Sequence, residues 1–303
     1  MKLIGTRRCY VPKNFREDAL KAIAQADKIC SEYEAKGRPL TLRGLYYQHV
    51  ARGLIENTDQ SYSRLKNLVS DGRLAGLLSW TAIEDLGRQL KGLQTWDGPE
   101  AALEDCRASF RRRKWEDQIF WPEVWVEKQA LEGVIGSICD ELEVDFFACK
   151  GYNSQSEQWA AGMRFAHRIQ NGQRPIVFHL GDHDPSGIDM TRDNQERLSL
   201  FAGVEIQVMR LALNRDQIDK YSPPPNPAKI TDSRFESYRQ EYGDESWELD
   251  ALDPPTIHGL VRDAIDRIRD NDIWEKSLKR ENEERQEIAD AIENAGLTTG
   301  ATA

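Results

Sequence analysis

The chain has 303 residues, of which 39% are hydrophobic and 30% charged, a balance typical of a globular protein with a sizeable core. No apolar run is long enough to cross a bilayer, and the first ten residues lack the apolar centre of a signal peptide, so we expect a cytoplasmic protein without membrane contacts. The five cysteines form no CxxC pair and have no histidine at zinc-ligand spacing, which argues against structural zinc.

The net charge of −10 is unevenly distributed along the chain. Residues 1–120 carry 21 basic and 16 acidic side chains, whereas residues 121–303 carry 20 basic and 35 acidic ones. Opposite signs are expected if the first half binds nucleic-acid phosphates and the second gathers carboxylates around a metal ion. A solvated acidic helix near residues 271–293 is an alternative source of part of the acidic excess.

The N-terminal elements predict a small helical domain. Apolar spacing and capping patterns predict three helices, over 15–36 behind an Asn14–Glu17 capping box, from Thr41 to about Arg52, and from Thr58 to about Ser70. Two short helices joined through Gly53 resemble a helix-turn-helix, and 77–83 is expected to form a wing. We therefore predict a winged-helix domain with a linker over residues 1–118. Its basic run 111–114 is expected either to touch the DNA backbone or to form an exposed helical face.

Residues 119–303 predict an α/β domain with a C-terminal extension. Strands are expected at 123–127, 144–149, 175–180 and 204–211, with helices at 129–142, 155–170 and 186–200 between them. This alternation predicts a mostly parallel sheet with helices on both faces, whose ligands gather at the carboxyl ends of the strands. An extended segment at 247–252 and helices at 255–269 and 275–294 are expected to follow.

Three acids are predicted to meet at those strand ends. Glu127 ends the first strand, and Asp182 and Asp184 follow the third strand with His183 pointing the other way. Carboxylates in one crevice suit Mg²⁺, with Mn²⁺ as a substitute. The alternative is that the aspartates are turn residues and that Asp184 starts the next helix.

These motifs resemble the Toprim and winged-helix proteins of the topoisomerase VI A-subunit and meiotic double-strand-break family. The resemblance rests on Asp182-x-Asp184-Pro185-x-Gly187, on Glu127, and on Arg43-x-x-Tyr46-Tyr47, and it spans residues 38–215. The chain looks closest to the compact stand-alone Mini-A type. Its loop at 150–155 lacks the Pro and Arg expected of a full A subunit.

The resemblance implies Mg²⁺-dependent cleavage of double-stranded DNA through a 5′-phosphotyrosyl link. Tyr47 is then the nucleophile, exposed towards the metal site, and Arg43 stabilises the phenolate or the phosphate. A homodimer is implied, in which the tyrosine of one protomer works with the metal site of the other, along with a separate GHKL-type ATPase B subunit and a place at the nucleoid. The expected DNA contacts are Arg64, Lys66, Arg73 and Lys150. Further candidate site residues are Lys150, Lys229, Glu248 and Asp250, and the two acids are expected either to be surface acids or to add metal ligands.

Two other interpretations stay open. In a Toprim nuclease, water attacks the phosphate and Tyr47 is a core residue or a DNA contact. A DNA-binding regulator that kept the fold would bind DNA without needing magnesium.

Overall fold

The structure, a computed structural model, describes residues 7–35, 40–84, 93–149, 151 and 153–295. In this part of the chain the fold is α/β, with eleven helices and a four-stranded parallel sheet, which confirms the predicted class. None of the helices described is long and apolar enough to cross a membrane.

The N-terminal half contains the three predicted helices. Its elements are α1 (Glu17–Glu34), β1 (Leu40–Thr41), α2 (Leu42–Ala51), α3 (Asp59–Leu74) and β2 (Ile83–Glu84), followed by α4 (Pro99–Ser109). The side chains of Thr41 and Thr58 cap α2 and α3, as predicted, by accepting backbone N–H bonds. The capping box at Asn14 is wrong, because α1 begins after Arg16 and no side chain caps it.

The predicted wing at 77–83 does not form as a hairpin within the described residues up to 84. Strand β2 instead pairs in parallel with β1. Leu78, Ala82 and Ile83 are buried in the same core as α1 to α3, whereas Leu77 and Trp80 are exposed.

The second half is built around the parallel sheet. Its elements are β3 (Phe120–Val126), α5 (Glu132–Leu142), β4 (Asp145–Ala148), α6 (Gln155–Gln170), β5 (Arg174–Leu180), α7 (Pro185–Ala202) and β6 (Gln207–Ala212). The strand order is β4-β3-β5-β6, so the two most apolar strands, β3 and β5, pair at the centre.

Helices cover both faces of this sheet, as right-handed crossovers require. Helices α6 and α7 pack against each other and against β5 and β6, whereas α5 packs against β3 and β4. The remaining elements are α8 (Arg215–Tyr221), β7 (Asn226–Pro227), α9 (Phe235–Tyr242), β8 (Glu245–Ser246), α10 (Pro254–Asp266) and α11 (Asn271–Asn294). Helix α10 closes the second face by packing on α5.

The expected extended segment at 247–252 is largely wrong. Trp247 does form a bridge with His183, but Leu249–Ala251 is a turn of 3-10 helix. The Asp182 carboxylate accepts the Leu249 N–H at 2.8 Å and fixes the start of this turn. Ala251 then packs into the core of the N-terminal helices, so the turn docks the second half of the chain against α2.

Two side chains of the basic run 111–114 are held by acids of the same chain. Arg112 pairs with Glu284 at 2.6 Å, and Lys114, fully buried, lies 2.5 Å from Glu281 and 2.7 Å from Glu143. Some acids of the C-terminal helix therefore form ion pairs within the protein. Arg112 and Lys114 form these pairs and do not lie on an exposed helical face.

Candidate functional site

Glu127 and Asp182 meet at the carboxyl ends of the two central strands, as predicted. Glu127 directly follows β3, and its Oε2 accepts the backbone N–H of Asp182 at 2.9 Å. The loop after β5 is tightly packed, because a Cβ on Gly187 would stand 2.2 Å from the Asp182 carbonyl oxygen. Glycine is thus required where this loop meets the start of α7.

The electrostatics of this pair favour a cation. Burial, with the nearby charges of Asp182 and Asp184, raises the pKa of Glu127 to about 7. Burial also raises the pKa of Asp182. Two carboxyl groups that resist ionising together are stabilised when positive charge is placed beside them.

Asp184 has a structural role that the sequence left as an alternative. Its Oδ1 accepts the Gly187 N–H at 2.7 Å and the Ser186 hydroxyl at 2.9 Å, so it is the N-cap of α7. It does not line the cavity of about 400 Å³ that Glu127 and Asp182 line. Its assignment as a metal ligand stays a prediction, whereas its capping function is observed.

The loop from Asp182 to Gly187 is hydrogen-bonded to Arg210, a residue that sequence reasoning missed. Arg210 on β6 donates to the Asp182 carbonyl at 2.5 Å and to the Gly187 carbonyl at 2.7 Å. Burial lowers its pKa to about 10. An arginine between apolar residues of a strand, Met209 and Leu211, is the signal that could have found it. His183 points away, as expected, with its Nδ1 2.8 Å from the Tyr238 hydroxyl.

Lys128 is the second residue that sequence reasoning missed. Its ammonium lies 2.9 Å from Asp182 Oδ2, 2.8 Å from Glu248 Oε2 and 3.1 Å from Asp250 Oδ1. Burial lowers its pKa, but the three carboxylates outweigh that effect and the net pKa is raised. The only sequence signal was a lysine directly after the strand-end Glu127, which is equally common on a solvated surface.

Glu248 and Asp250, the further acidic candidates, complete this cluster. Although burial raises the pKa of Glu248, Lys128 and Arg43 lower it to about 2 overall. Burial raises the pKa of Asp250 to about 6. The cluster opens on a cavity of about 400 Å³ whose lining includes Arg43, Glu127, Lys128, Asp182, Lys229, Glu248 and Asp250.

Tyr47 adjoins the same network but is not exposed. Only 2% of the residue is accessible, which contradicts the expected exposure towards the metal site. It packs among the core residues of α1 to α3, and burial raises its pKa. Its hydroxyl nevertheless lies 3.3 Å from an Arg43 nitrogen, and the residue lines a second cavity of about 230 Å³ together with Arg43 and Glu248.

Arg43 connects the tyrosine to the acids within one chain. It stands one helical turn before Tyr47 on α2, pairs with Glu248, and places its Nε 3.0 Å from Asp250 Oδ2. The 3-10 turn docked on α2 brings these acids to it. The two predicted halves of the site are Tyr47 with Arg43 and Glu127 with Asp182. The structure joins them through Lys128 and the carboxylates of residues 248 and 250.

The predicted DNA contacts fall into three groups. Arg64 and Lys66 are exposed on α3. Arg73 instead donates to the carbonyls of Ile83 at 2.8 Å and Trp80 at 3.2 Å, so it joins α3 to the following segment and is a structural residue. Lys150 lies outside the described residues.

The donor set fits a hard divalent cation. Glu127 and Asp182 offer carboxylate oxygens, and Mg²⁺ in proteins commonly takes one or two carboxylates with water and phosphate. The Lys128 ammonium shows that the cluster accepts positive charge beside Asp182. As the side chains stand, with Lys128 in place, the described residues contain no group of three or more His, Cys, Asp or Glu arranged to hold a metal ion.

No family model, curated protein or solved structure matches the chain. The function of the chain is therefore inferred from the geometry of the site and from the motif resemblance.

Proposed function

We propose that this chain cleaves DNA in a Mg²⁺-dependent reaction through a transient 5′-phosphotyrosyl link, as a type IIB topoisomerase A-subunit-like protein. The observation that carries the proposal is the continuous network from the Tyr47 hydroxyl through Arg43 to the acidic cavity beside Glu127 and Asp182. A nucleophile, a fixed cation and buried carboxylates are the groups that phosphoryl transfer to a phenol needs.

In the proposed reaction the Tyr47 oxygen bonds to phosphorus as the bond from phosphorus to the 3′ oxygen breaks. The free 3′ hydroxyl carries a proton that balances the one lost by the phenol. The Arg43 guanidinium, 3.3 Å from the hydroxyl, stabilises the phenolate and the charge that develops on the phosphate. Mg²⁺ held by Glu127 and Asp182 would neutralise the scissile phosphate.

The DNA-binding part of the proposal is a winged-helix-like N-terminal domain. The order α1-β1-α2-α3-β2, the net positive charge of residues 1–120 and the exposed Arg64 and Lys66 on α3 support it. Arg73 is not part of this surface.

The second candidate function is a metal-dependent nuclease in which water is the nucleophile. The burial of Tyr47, together with its raised pKa, favours this alternative, because attack by the phenol requires its hydroxyl to meet phosphorus. The two functions differ in one product, the covalent protein–DNA link.

The deciding experiment is plasmid cleavage with Mg²⁺, stopped with SDS and analysed with and without protease. We expect protein-linked 5′ ends for wild type and for Tyr46→Phe, and none for Tyr47→Phe or Glu127→Gln. Tyr46 is the matched control, because it is the neighbouring tyrosine and its hydroxyl donates to Asn57 at 2.8 Å. Free ends that survive Tyr47→Phe but vanish with Glu127→Gln would replace the proposal by the nuclease.

We also propose a homodimer that works with a separate GHKL-type ATPase subunit. Because Arg43 contacts both Tyr47 and Asp250 of its own chain, we expect each protomer to use its own tyrosine and metal site. A mixture of Tyr47→Phe and Glu127→Gln protomers should then stay inactive. Nicking restored by mixing would show instead that the tyrosine of one protomer serves the metal site of the other.

A further inference from the structure

The Lys128 ammonium stands where a cation would be bound. Three carboxylate oxygens, from Asp182, Glu248 and Asp250, lie within 3.1 Å of its Nζ. The side chain is only 22% exposed, and that of Asp250 only 3%. Lysine thus supplies the positive charge that this buried group of acids requires.

A divalent cation on Asp182 cannot share this arrangement. Mg²⁺ binds oxygen at about 2.0–2.1 Å and needs a near-octahedral shell, so a metal on the Asp182 carboxylate competes for the oxygen that the ammonium contacts. Two positive groups within about 4 Å also repel each other strongly where water is scarce. The neighbouring cavity of about 400 Å³, which Lys128 itself lines, offers the displaced side chain a place to move.

We propose that Lys128 occupies the cation position of the metal-free protein and is exchanged for the divalent metal, its ammonium moving from Asp182 into the cavity. This inference rests on the proposed function, because the metal is the one required for cleavage. Lys128 is then a positioning residue that lowers metal affinity and keeps the acids paired until a metal replaces it.

The first test measures Mn²⁺ binding to the full chain without DNA, by electron paramagnetic resonance of free Mn²⁺. Lys128→Met should bind Mn²⁺ about tenfold more tightly than wild type, because the competing charge is in direct contact with the acids. Lys229→Met is the matched control. Lys229 lines the same cavity but is exposed, so its removal should change the affinity by about threefold or less.

The second test uses the wild-type protein and does not depend on the folding of a variant. Acetylation of lysines by an amine-reactive ester is followed by peptide mass spectrometry, with Mg²⁺ or with NaCl at equal ionic strength. Lys128 should react several-fold faster with Mg²⁺, and Lys229 at an unchanged rate.

The outcomes separate this inference from the proposed function. If wild type and Lys128→Met bind Mn²⁺ equally while Glu127→Gln binds it more weakly, the metal site stands and the exchange is refuted. If Lys128 is acetylated at the same rate with Mg²⁺ and with NaCl, the exchange is refuted as well. If no variant binds Mn²⁺, the metal-dependent function fails, and the exchange with it.

Discussion

Replacing Glu127 by glutamine should stabilise the metal-free protein while removing its response to metal. The carboxyl group is buried beside Asp182, and its pKa is raised from 4.5 to about 7. Glutamine has the same shape, and its side-chain oxygen can keep the bond from the Asp182 N–H. The substitution thus removes a charge that the metal-free fold disfavours, at little cost in packing.

The magnitude follows from the pKa and depends on pH. Below pH 4.5 the carboxyl group is protonated in both the folded and the unfolded chain, so wild type and variant should be equally stable. As the pH rises from 4.5 to about 7, the unfolded chain ionises this group while the folded protein keeps it protonated, so wild type loses stability relative to the variant. Above that pH the difference should level off at about 3 kcal/mol, because the pKa is raised from 4.5 to about 7 and a change of one in pKa equals ~1.4 kcal/mol.

The assay is thermal unfolding in EDTA at pH 5 to 8, with Glu123→Gln as the control. Glu123 is also a buried acid, but it holds Arg164 at 2.9 Å and 3.0 Å. Glu123→Gln should therefore lower the free energy of unfolding by about 1 to 3 kcal/mol. A Glu127→Gln protein that is less stable than wild type at pH 8, or whose gain is the same at pH 5, would refute the reasoning.

Three further changes test the packing around the site. Tyr47→Phe should alter the free energy of unfolding by less than about 1 kcal/mol, because the hydroxyl makes one 3.3 Å contact, whereas Tyr47→Ala should cost about 3 to 5 kcal/mol in urea titrations. Gly187→Ala should lower Mn²⁺ affinity about tenfold, since the added Cβ would press on Asp182. The circular dichroism spectrum should not change. An unchanged affinity would contradict the close packing of the loop. Lys114→Met should cost about 3 kcal/mol and expose α11 to limited proteolysis, because Glu281 loses its buried partner; protease resistance equal to wild type would exclude this anchoring role.

The sequence determined the frame of the site. Alternating apolar strands and helices fix a parallel sheet, because such strands must be covered on both faces. Side chains that follow the ends of neighbouring parallel strands then meet at one edge, which is why Glu127 and Asp182 could be paired from sequence. Thr41 and Thr58 likewise marked the helix starts, because capping depends on the residues within one turn.

Local pattern could not choose between two uses of the same residue type. Asp184 before a proline is equally suited to hold a metal ion and to cap a helix, and only the position of the Gly187 N–H shows the second use. Tyr47 on a short amphipathic helix could face solvent or core. The packing of α1 to α3 around it decided for the core.

Tertiary structure alone brought the second half of the cluster into place. Lys128 and Asp250 are far apart in the chain, and their pairing depends on the turn at Leu249–Ala251 docking on α2. That docking is set by the burial of Ala251 among the N-terminal helices and by the bond from the Leu249 N–H to Asp182. Burial and hydrogen bonding between distant segments leave no periodic trace in the sequence, whereas strand and helix patterns do. The sequence therefore determined where the acids of the sheet edge lie, and only the folded chain decided which cation stands among them.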